Sequence, residues 1–600
     1  MKHRRTTLAA LTATTLAATM ISATPASAYK PQIAPTATGY GGAVASVDPT
    51  VTAVGLEVLR NGGNAVDAAI AAAATIGVTE PFSAGIGGGG FFVYYDARTR
   101  KVHTIDGREA APASLRENSF QNADGTALDF NAARVSGLSV GVPGTLATWE
   151  AAADRWGSRP LGELLRPAAD VADRGFTVDA TFNAQVAANA AIFGQFDSSS
   201  ELYLPGGAPP AVGSTFRNPD LADTYRLIAK KGTDVFYSGA VARDIAAAVQ
   251  HPPVSDTPIG TWAHPIRPGG LTVRDLDRYQ ARFPAPTRAG YRGLDVYGMA
   301  TPSSGGAAVG EALNILEGYD LGALDDADAL HRYLEASALA FADRNRYVGD
   351  YTRRSVLDEL LNDRFAAERR CQISPTAALP KPVAPGNPDG RYTGCAAAAA
   401  GVPDTDQSIS TTHLTVADKW GNVVSFTFTI EQIGGAGIVV PGRGILLNNE
   451  LTDFNFTPTQ GTAADPNLPG PGKRPRSSMS PTIVLKDGKP FVAVGSPGGA
   501  TIITTVLQIL VNRIDLGMTL PQALAAPRAS QRNSAAPQAE PAFIAAYGAD
   551  LTALGQPAFV STAEIGAATG IEFGRNGQLT AVAEPVRRGT GAAGVVRTGR

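Results

Sequence analysis

Two runs of β-branched and aromatic residues, 411–416 and 423–430, flank the polar stretch Asp418-Lys419-Trp420-Gly421-Asn422, whose Gly-Asn pair suits a tight turn. The spacing predicts a β-hairpin with Thr411 at the head of its first strand. A threonine there has a chemical consequence if the chain is cut in front of it. Its hydroxyl is a poor nucleophile near neutral pH and needs a base close by. A free α-amine on the same residue, with a reference pKa of about 7.7 to 8.0, can serve. Cleavage between Ser410 and Thr411 would create nucleophile and base together. Taken alone, Thr411-Thr412-His413 marks an ordinary strand start, so the reading depends on its surroundings.

Downstream come Thr427-Phe428-Thr429-Ile430-Glu431-Gln432 and Leu446-Leu447-Asn448-Asn449-Glu450-Leu451-Thr452-Asp453-Phe454. After these stand Lys473-Arg474-Pro475-Arg476-Ser477-Ser478-Met479-Ser480 and Gly495-Ser496-Pro497-Gly498-Gly499. Upstream are Arg60-Asn61-Gly62-Gly63-Asn64-Ala65-Val66-Asp67, Gly85-Ile86-Gly87-Gly88-Gly89-Gly90, Asp106-Gly107-Arg108-Glu109, Pro302-Ser303-Ser304-Gly305-Gly306 and Ala342-Asp343-Arg344. In this order and spacing the set resembles the γ-glutamyltranspeptidases, also called glutathione hydrolases, a family of N-terminal nucleophile hydrolases that cut their own chain. The resemblance covers nearly all of the chain after its leader. The Ala- and Pro-rich residues 529–557 carry little of it.

The resemblance implies an α+β fold, a four-layer αββα sandwich in which a large chain (29–410) and a small chain (411–600) from one precursor form a heterodimer. Thr411 would attack the γ-amide carbonyl of a γ-glutamyl donor such as glutathione, form an ester, and pass the glutamyl group to water or to an amino acid or peptide acceptor. Thr429 matches the threonine that positions the nucleophile. Gly498 and Gly499 match the glycines whose N–H groups face the oxyanion. Arg108, with Ser477 and Ser478, matches the carboxylate-binding set, an arginine fork being suited to that group. Glu431, Glu450 and Asp453 match positions facing the substrate ammonium. Many members carry asparagine and glutamine where this chain has Glu431 and Glu450; a Bacillus-like bacterial branch shares the acids. Three acids around one ammonium over-balance its charge unless one is protonated or Arg108 sits close. Residues between Asp453 and Lys473 occupy the place of a lid loop, at a length that matches neither branch cleanly. The nearest alternatives are a glutaryl or cephalosporin acylase and a poly-γ-glutamate transpeptidase, which would be cut at the same threonine.

Outside these motifs, the amino terminus reads as a secretory leader, with basic Lys2-His3-Arg4-Arg5, an apolar stretch 6–21, and Ala26-Ser27-Ala28 as the cleavage site. A released protein starting near Tyr29, without a membrane anchor, follows. Cys371 and Cys395, the only cysteines, read as a disulfide in an oxidising compartment. Neither they nor the scattered histidines have metal-ligand spacing, and no metal or cofactor is expected. A net charge of -3 gives no basic footprint for nucleic acid.

Helices are expected over 51–60, 64–76 and 327–346, and a strand over 91–95. Gly85, Gly87 and Gly90 fit a dinucleotide fingerprint, but a strand follows where a helix is required, so the glycines read as sites of close backbone packing. Gly137-Leu138-Ser139-Val140-Gly141 fits a nucleophile elbow, which Val142-Pro143-Gly144 contradicts. Residues 376–403, rich in Pro, Gly and Ala, read as a mobile surface segment.

Overall fold

The computed structural model describes residues 34–392, 394–395, 401–402, 410–588 and 591–598; the expected leader and the alanine run 396–400 lie outside them. Among the described residues, the central sheet system has twelve strands. They are β1 (Thr36–Ser46), β2 (Gly89–Asp96), β3 (Lys101–Gly107), β4 (Thr287–Tyr291), β5 (Leu294–Gly298), β6 (Thr412–Asp418), β7 (Val423–Thr429), β8 (Thr482–Lys486), β9 (Lys489–Gly495), β10 (Thr569–Phe573), β11 (Leu579–Ala583) and β12 (Ala592–Thr598).

One half runs β3-β2-β7-β6-β1-β12 and the other β4-β5-β8-β9-β10-β11, all antiparallel. β1 links them: Thr36 to Gly39 pair with β11, while later residues pair with β6 on one side and β12 on the other. A bulge between Tyr40 and Ala43 makes the turn from one half to the other. Gly41 and Gly42 sit there at φ of 84° and 126°, a region that side-chain-bearing residues enter only under strain.

The halves stack face to face. Val93, Tyr95 and Val423 of the first meet Ile483, Leu485 and Ala493 of the second. Behind the first half lie the helices Pro49–Arg60, Ala65–Thr79 and Thr145–Trp156, packed on Leu414, Val416, Val424, Phe426 and Phe428. Behind the second lie Gly305–Leu316, Asp326–Tyr347 and Thr501–Ile514, packed on Val484, Val492 and Val494. This is the αββα sandwich that the resemblance implies. Because each half-sheet is covered on both faces, β2, β6 and β7 are buried along their whole length, and their sequences read as runs rather than alternations.

Local signals account for several boundaries. Asp48 caps the first helix by accepting from the Val51 N–H, and Asn64 with Asp67 closes a capping box on the second. The expected helices and strand are all present, with ends differing by a turn or less. The glycine run packs backbone on backbone: a Cβ at Gly87 would overlap the Leu446 carbonyl, and one at Gly88 the Thr429 carbonyl. Ser139 ends a short 3₁₀ turn, where its buried hydroxyl donates to the carbonyls of Arg134 (2.7 Å) and Ser136 (3.0 Å).

The described residues of 376–403 lie mostly at the surface, as expected, but they make specific contacts that the composition does not suggest. Where described, they are pinned to the body of the protein. The buried Lys381 ammonium lies 2.5 Å from Glu335, Asn533 bonds both the N–H (2.7 Å) and the carbonyl (2.9 Å) of Val383, and a disulfide joins Cys371 to Cys395. The composition misleads because a few anchors, the backbone of Val383, the Lys381 ammonium and the apolar side chains of Val383 and Leu379, hold a segment otherwise rich in small residues. The segment after Asp453 is likewise ordered, around Asp465, which accepts from the Thr459 N–H (2.9 Å) and hydroxyl (2.8 Å) and from the Asn467 N–H (2.9 Å). Asn467 in turn donates to the Asp453 carbonyl (2.7 Å) and accepts from the Arg476 N–H (2.8 Å). No helix among the described residues is long and apolar enough to cross a membrane.

Candidate active site

Alternation along β6 and β7 sorts their side chains. Leu414, Val416, Phe426 and Phe428 face the helices, whereas Thr411, His413, Thr415, Ser425, Thr427 and Thr429 face the second half-sheet. The space between sheets is therefore polar at this end. His413 pairs across the hairpin with Thr427 (Nδ1 to Oγ1, 2.7 Å) and reaches Thr415 (3.1 Å). Burial pushes its imidazole down to about 3, so it is neutral at working pH.

Thr411 is buried in front of this seam, its hydroxyl donating to Thr429 Oγ1 at 3.3 Å. The Thr429 oxygen also accepts from the Glu431 N–H at 2.8 Å, which fixes where it lies. Thr411 has φ of 142° and Glu431 of 79°, so backbone strain sits at both ends of this short relay.

Arg108 follows β3 and is almost fully buried. Its guanidinium forms short ion pairs with Glu450 and Asp453 and donates to the carbonyls of Pro475 and Arg476, each at 3.2 Å. Burial pushes the Glu450 carboxyl well above the usual carboxylate range; Arg108 opposes this and Glu109, Asp453 and Glu431 add to it. Of the two conditions that would balance the excess of acids, the close arginine is present, and burial shifts the Glu450 carboxyl toward its protonated form. Glu431 is held separately by a short bond from the Asn449 amide and one from Gln432 at 3.0 Å.

Ser477 and Ser478 lie on a loop held by Ser304 and Arg344. The Ser477 carbonyl accepts from the N–H (2.8 Å) and hydroxyl (2.7 Å) of Ser304. Arg344 donates to Ser304 Oγ (3.0 Å) and to Ser478 Oγ (2.7 Å). The motifs at 302–306 and 342–344 thus brace the serine loop. β9 ends at Gly495, where a Cβ would overlap the His413 ring, and Gly498 and Gly499 then open the helix Thr501–Ile514 with φ of 132° and 56°. Their carbonyls accept helical bonds from Thr501 and Ile502, while their N–H groups have no acceptor among the described residues.

Sequence reasoning left Glu109 without a role. Its carboxyl, lifted to about 7 by burial, stands 4.0 Å from Arg108 and abuts Gly89. The acid beside the arginine was visible in the motif, but its inward orientation was not. Among the described residues no cluster of His, Cys, Asp or Glu could hold a metal ion.

A hairpin that opens on a threonine, set in an αββα sandwich, defines an N-terminal nucleophile hydrolase. Comparison with known proteins narrows the class. This chain belongs to the gamma-glutamyltranspeptidase family, whose model matches residues 51–594. It is 37% identical over 557 residues to the glutathione hydrolase proenzyme of Bacillus subtilis (strain 168), covering 92% of this chain and 91% of that protein. It is 38% identical over 498 residues to the glutathione hydrolase proenzyme of Escherichia coli (strain K12), covering 81% and 80%. Among solved structures, the cephalosporin acylase from Bacillus halodurans superposes with a TM-score of 0.79 at 30% identity, over 96% of this chain and 99% of that one.

Proposed function

We propose that this chain is an exported, self-cleaving γ-glutamyltransferase and glutathione hydrolase, with residues 1–28 as a leader, 29–410 as the large chain and 411–600 as the small, catalytic chain. The observation that carries the reading is Thr411 itself, a β-branched residue strained at φ of 142° with its hydroxyl on Thr429. Strain of this kind is worth about 1 to 3 kcal/mol and is relieved when the bond before the residue breaks. In maturation the Thr411 oxygen attacks the Ser410 carbonyl carbon, the acyl group moves from nitrogen to oxygen, and water hydrolyses the ester. Ser410 then carries the new carboxylate and Thr411 the new amine.

In turnover that amine takes the proton as the Thr411 oxygen attacks the γ-carbonyl of the donor. Gly498 and Gly499 present N–H groups to the oxyanion; losing one such donor typically lowers the rate about 10² to 10³-fold. The departing amine takes the proton back, leaving a γ-glutamyl ester on Thr411. Water, or the amine of an amino acid or peptide, then attacks the ester.

Binding of the glutamyl end is a charge-neutral exchange. Arg108 already holds Glu450 and Asp453. The substrate carboxylate takes one arginine contact, with Ser477 and Ser478 beside it, and the ammonium takes the released acid together with Glu431. A glutaryl group has no ammonium, so the acid it displaces from Arg108 would have to keep or take up a proton, whereas a glutamyl group supplies it with a counter-ion. The acylase superposition keeps a glutaryl amidase as the second reading.

The deciding experiment is a denaturing gel with N-terminal sequencing, wild type beside Thr411→Ala, followed by assays on γ-glutamyl and glutaryl anilides. Two wild-type chains, the smaller beginning Thr-Thr-His, an uncut variant, and turnover of the γ-glutamyl anilide alone are expected. An uncut but active wild type would end the threonine mechanism. Preference for the glutaryl anilide would shift the assignment to the acylase.

A further inference from the structure

One contact to Thr411 has no part in the scheme above. Arg588 donates from Nη1 to the Thr411 carbonyl at 3.2 Å. It is not a loosely held surface charge. The preceding Arg587 is buried and forked between Glu540 (2.5 Å) and Glu584 (2.9 Å), with further bonds to the carbonyls of Leu524 (3.3 Å) and Ala526 (3.1 Å). Arg588 itself has φ of 51°, and its N–H donates to Glu564 at 3.3 Å. A pinned neighbour and a left-handed backbone therefore aim its side chain at the head of β6.

We propose that Arg588 is a positioning residue for Thr411: it grips the Thr411 carbonyl and, once the chain is cut, its charge holds the adjacent α-amine in the neutral form that the reaction needs. The inference rests on the reading of Thr411 as an N-terminal nucleophile. The α-nitrogen lies on the order of 3 Å from the carbonyl oxygen of its own residue, so the guanidinium is within one side-chain length of the amine. A like charge at that range disfavours the ammonium form. The proton taken up during attack still leaves with the departing amine, so Arg588 changes the base's readiness and not the proton balance.

The groups facing Arg588 decide how much of its charge is felt. Glu80, at the end of the helix Ala65–Thr79, interacts electrostatically with Arg588 and, with opposite sign, with Asp48 and Asp179. Burial lifts Glu80 to about 7 while Arg588 pulls it down, and its Oε2 has no hydrogen-bond partner among the described residues. Glu80 is thus a partial counter-ion near neutrality, and Glu564 meets the Arg588 backbone rather than its guanidinium.

The test compares two-chain wild type, Arg588→Gln and Arg588→Lys, with each small chain sequenced to show that it begins at Thr411. The readout is kcat/KM for a γ-glutamyl anilide from about pH 5 to about pH 10, whose acid limb reports the free enzyme's base. Removing the cation raises the amine's pKa, so the Arg588→Gln limb moves up by about half a unit to one unit, while Arg588→Lys stays with wild type and melting temperatures agree. A Gln limb that overlies wild type, with cutting intact, overturns this inference and leaves the Thr411 reading standing. An active wild type that is never cut overturns both. If Arg588→Gln folds normally but stays uncut, cutting restored in Arg588→Lys supports the proposal through the grip on Thr411. Failure of both variants to cut, with normal melting, overturns the role of charge.

Discussion

Two side chains beside Thr411 make separable predictions. Thr429 accepts the Thr411 hydroxyl and is itself fixed by the Glu431 N–H. Thr429→Ala should slow both self-cleavage and turnover by about 10²-fold, the typical effect of a misplaced reacting group, and Thr429→Ser should restore most of both. Time courses of precursor conversion and of anilide release check this; equal rates in all three proteins would remove Thr429 from the site. His413 contributes to stability instead. Its folded pKa is depressed to about 3 from a reference of about 6.5, so its contribution is full above pH 6.5 and lost as pH falls toward 3. Between pH 7 and pH 5 that loss is about 2 kcal/mol. Urea unfolding at the two pH values should show a pH dependence smaller by that amount in His413→Gln, and an unchanged dependence would mean the ring is not buried neutral.

At the scale of elements, the glycine run before β2 sets how closely that strand and β7 approach. Gly88→Ala would drive a Cβ into the Thr429 carbonyl, forcing β7 outward and carrying Thr429 with it. Such overpacking typically destabilises by about 1 to 3 kcal/mol, and here it should also leave an uncut precursor. A shifted urea midpoint together with a persistent single band checks both halves; normal cutting in a destabilised variant would uncouple the glycine from the site. The hairpin, the capped helices and the glycine contacts are legible in the sequence because turns, caps and backbone approach are written within a few residues. The site's assembly is less so. Arg344 stands out as a motif, but nothing local says that its fork reaches Ser304 and Ser478. Arg587 and Arg588 look like paired surface charges, yet one is buried in an ion network and the other touches Thr411. Lys381 and Val383 invert the error, sitting in a loop-like composition yet held by Glu335 and Asn533.

For the whole molecule, the sheet order decides what a cut before Thr411 does. Under the proposed cleavage, β1, β2 and β3 belong to the large chain and β6, β7 and β12 to the small one. The first half-sheet then reads large, large, small, small, large, small. The small chain's hairpin is hydrogen-bonded on one edge to β2 and on the other to β1, and β5 of the large chain pairs with β8 of the small one. Neither chain has a complete sheet of its own, and separation would expose buried strand edges on both. The two chains should therefore elute as one particle under non-denaturing conditions and separate only where the fold melts. Reducing agent alone should not part them, because Cys371 and Cys395 both lie in the large chain. Refolding from separated chains should recover little activity, since each must first populate an incomplete sheet and pair non-local strands. Gel filtration across a guanidinium series, with circular dichroism on the same samples, gives the answer. Separation while the helical signal is intact would mean that the chains meet at a docked surface rather than through a shared, interleaved sheet.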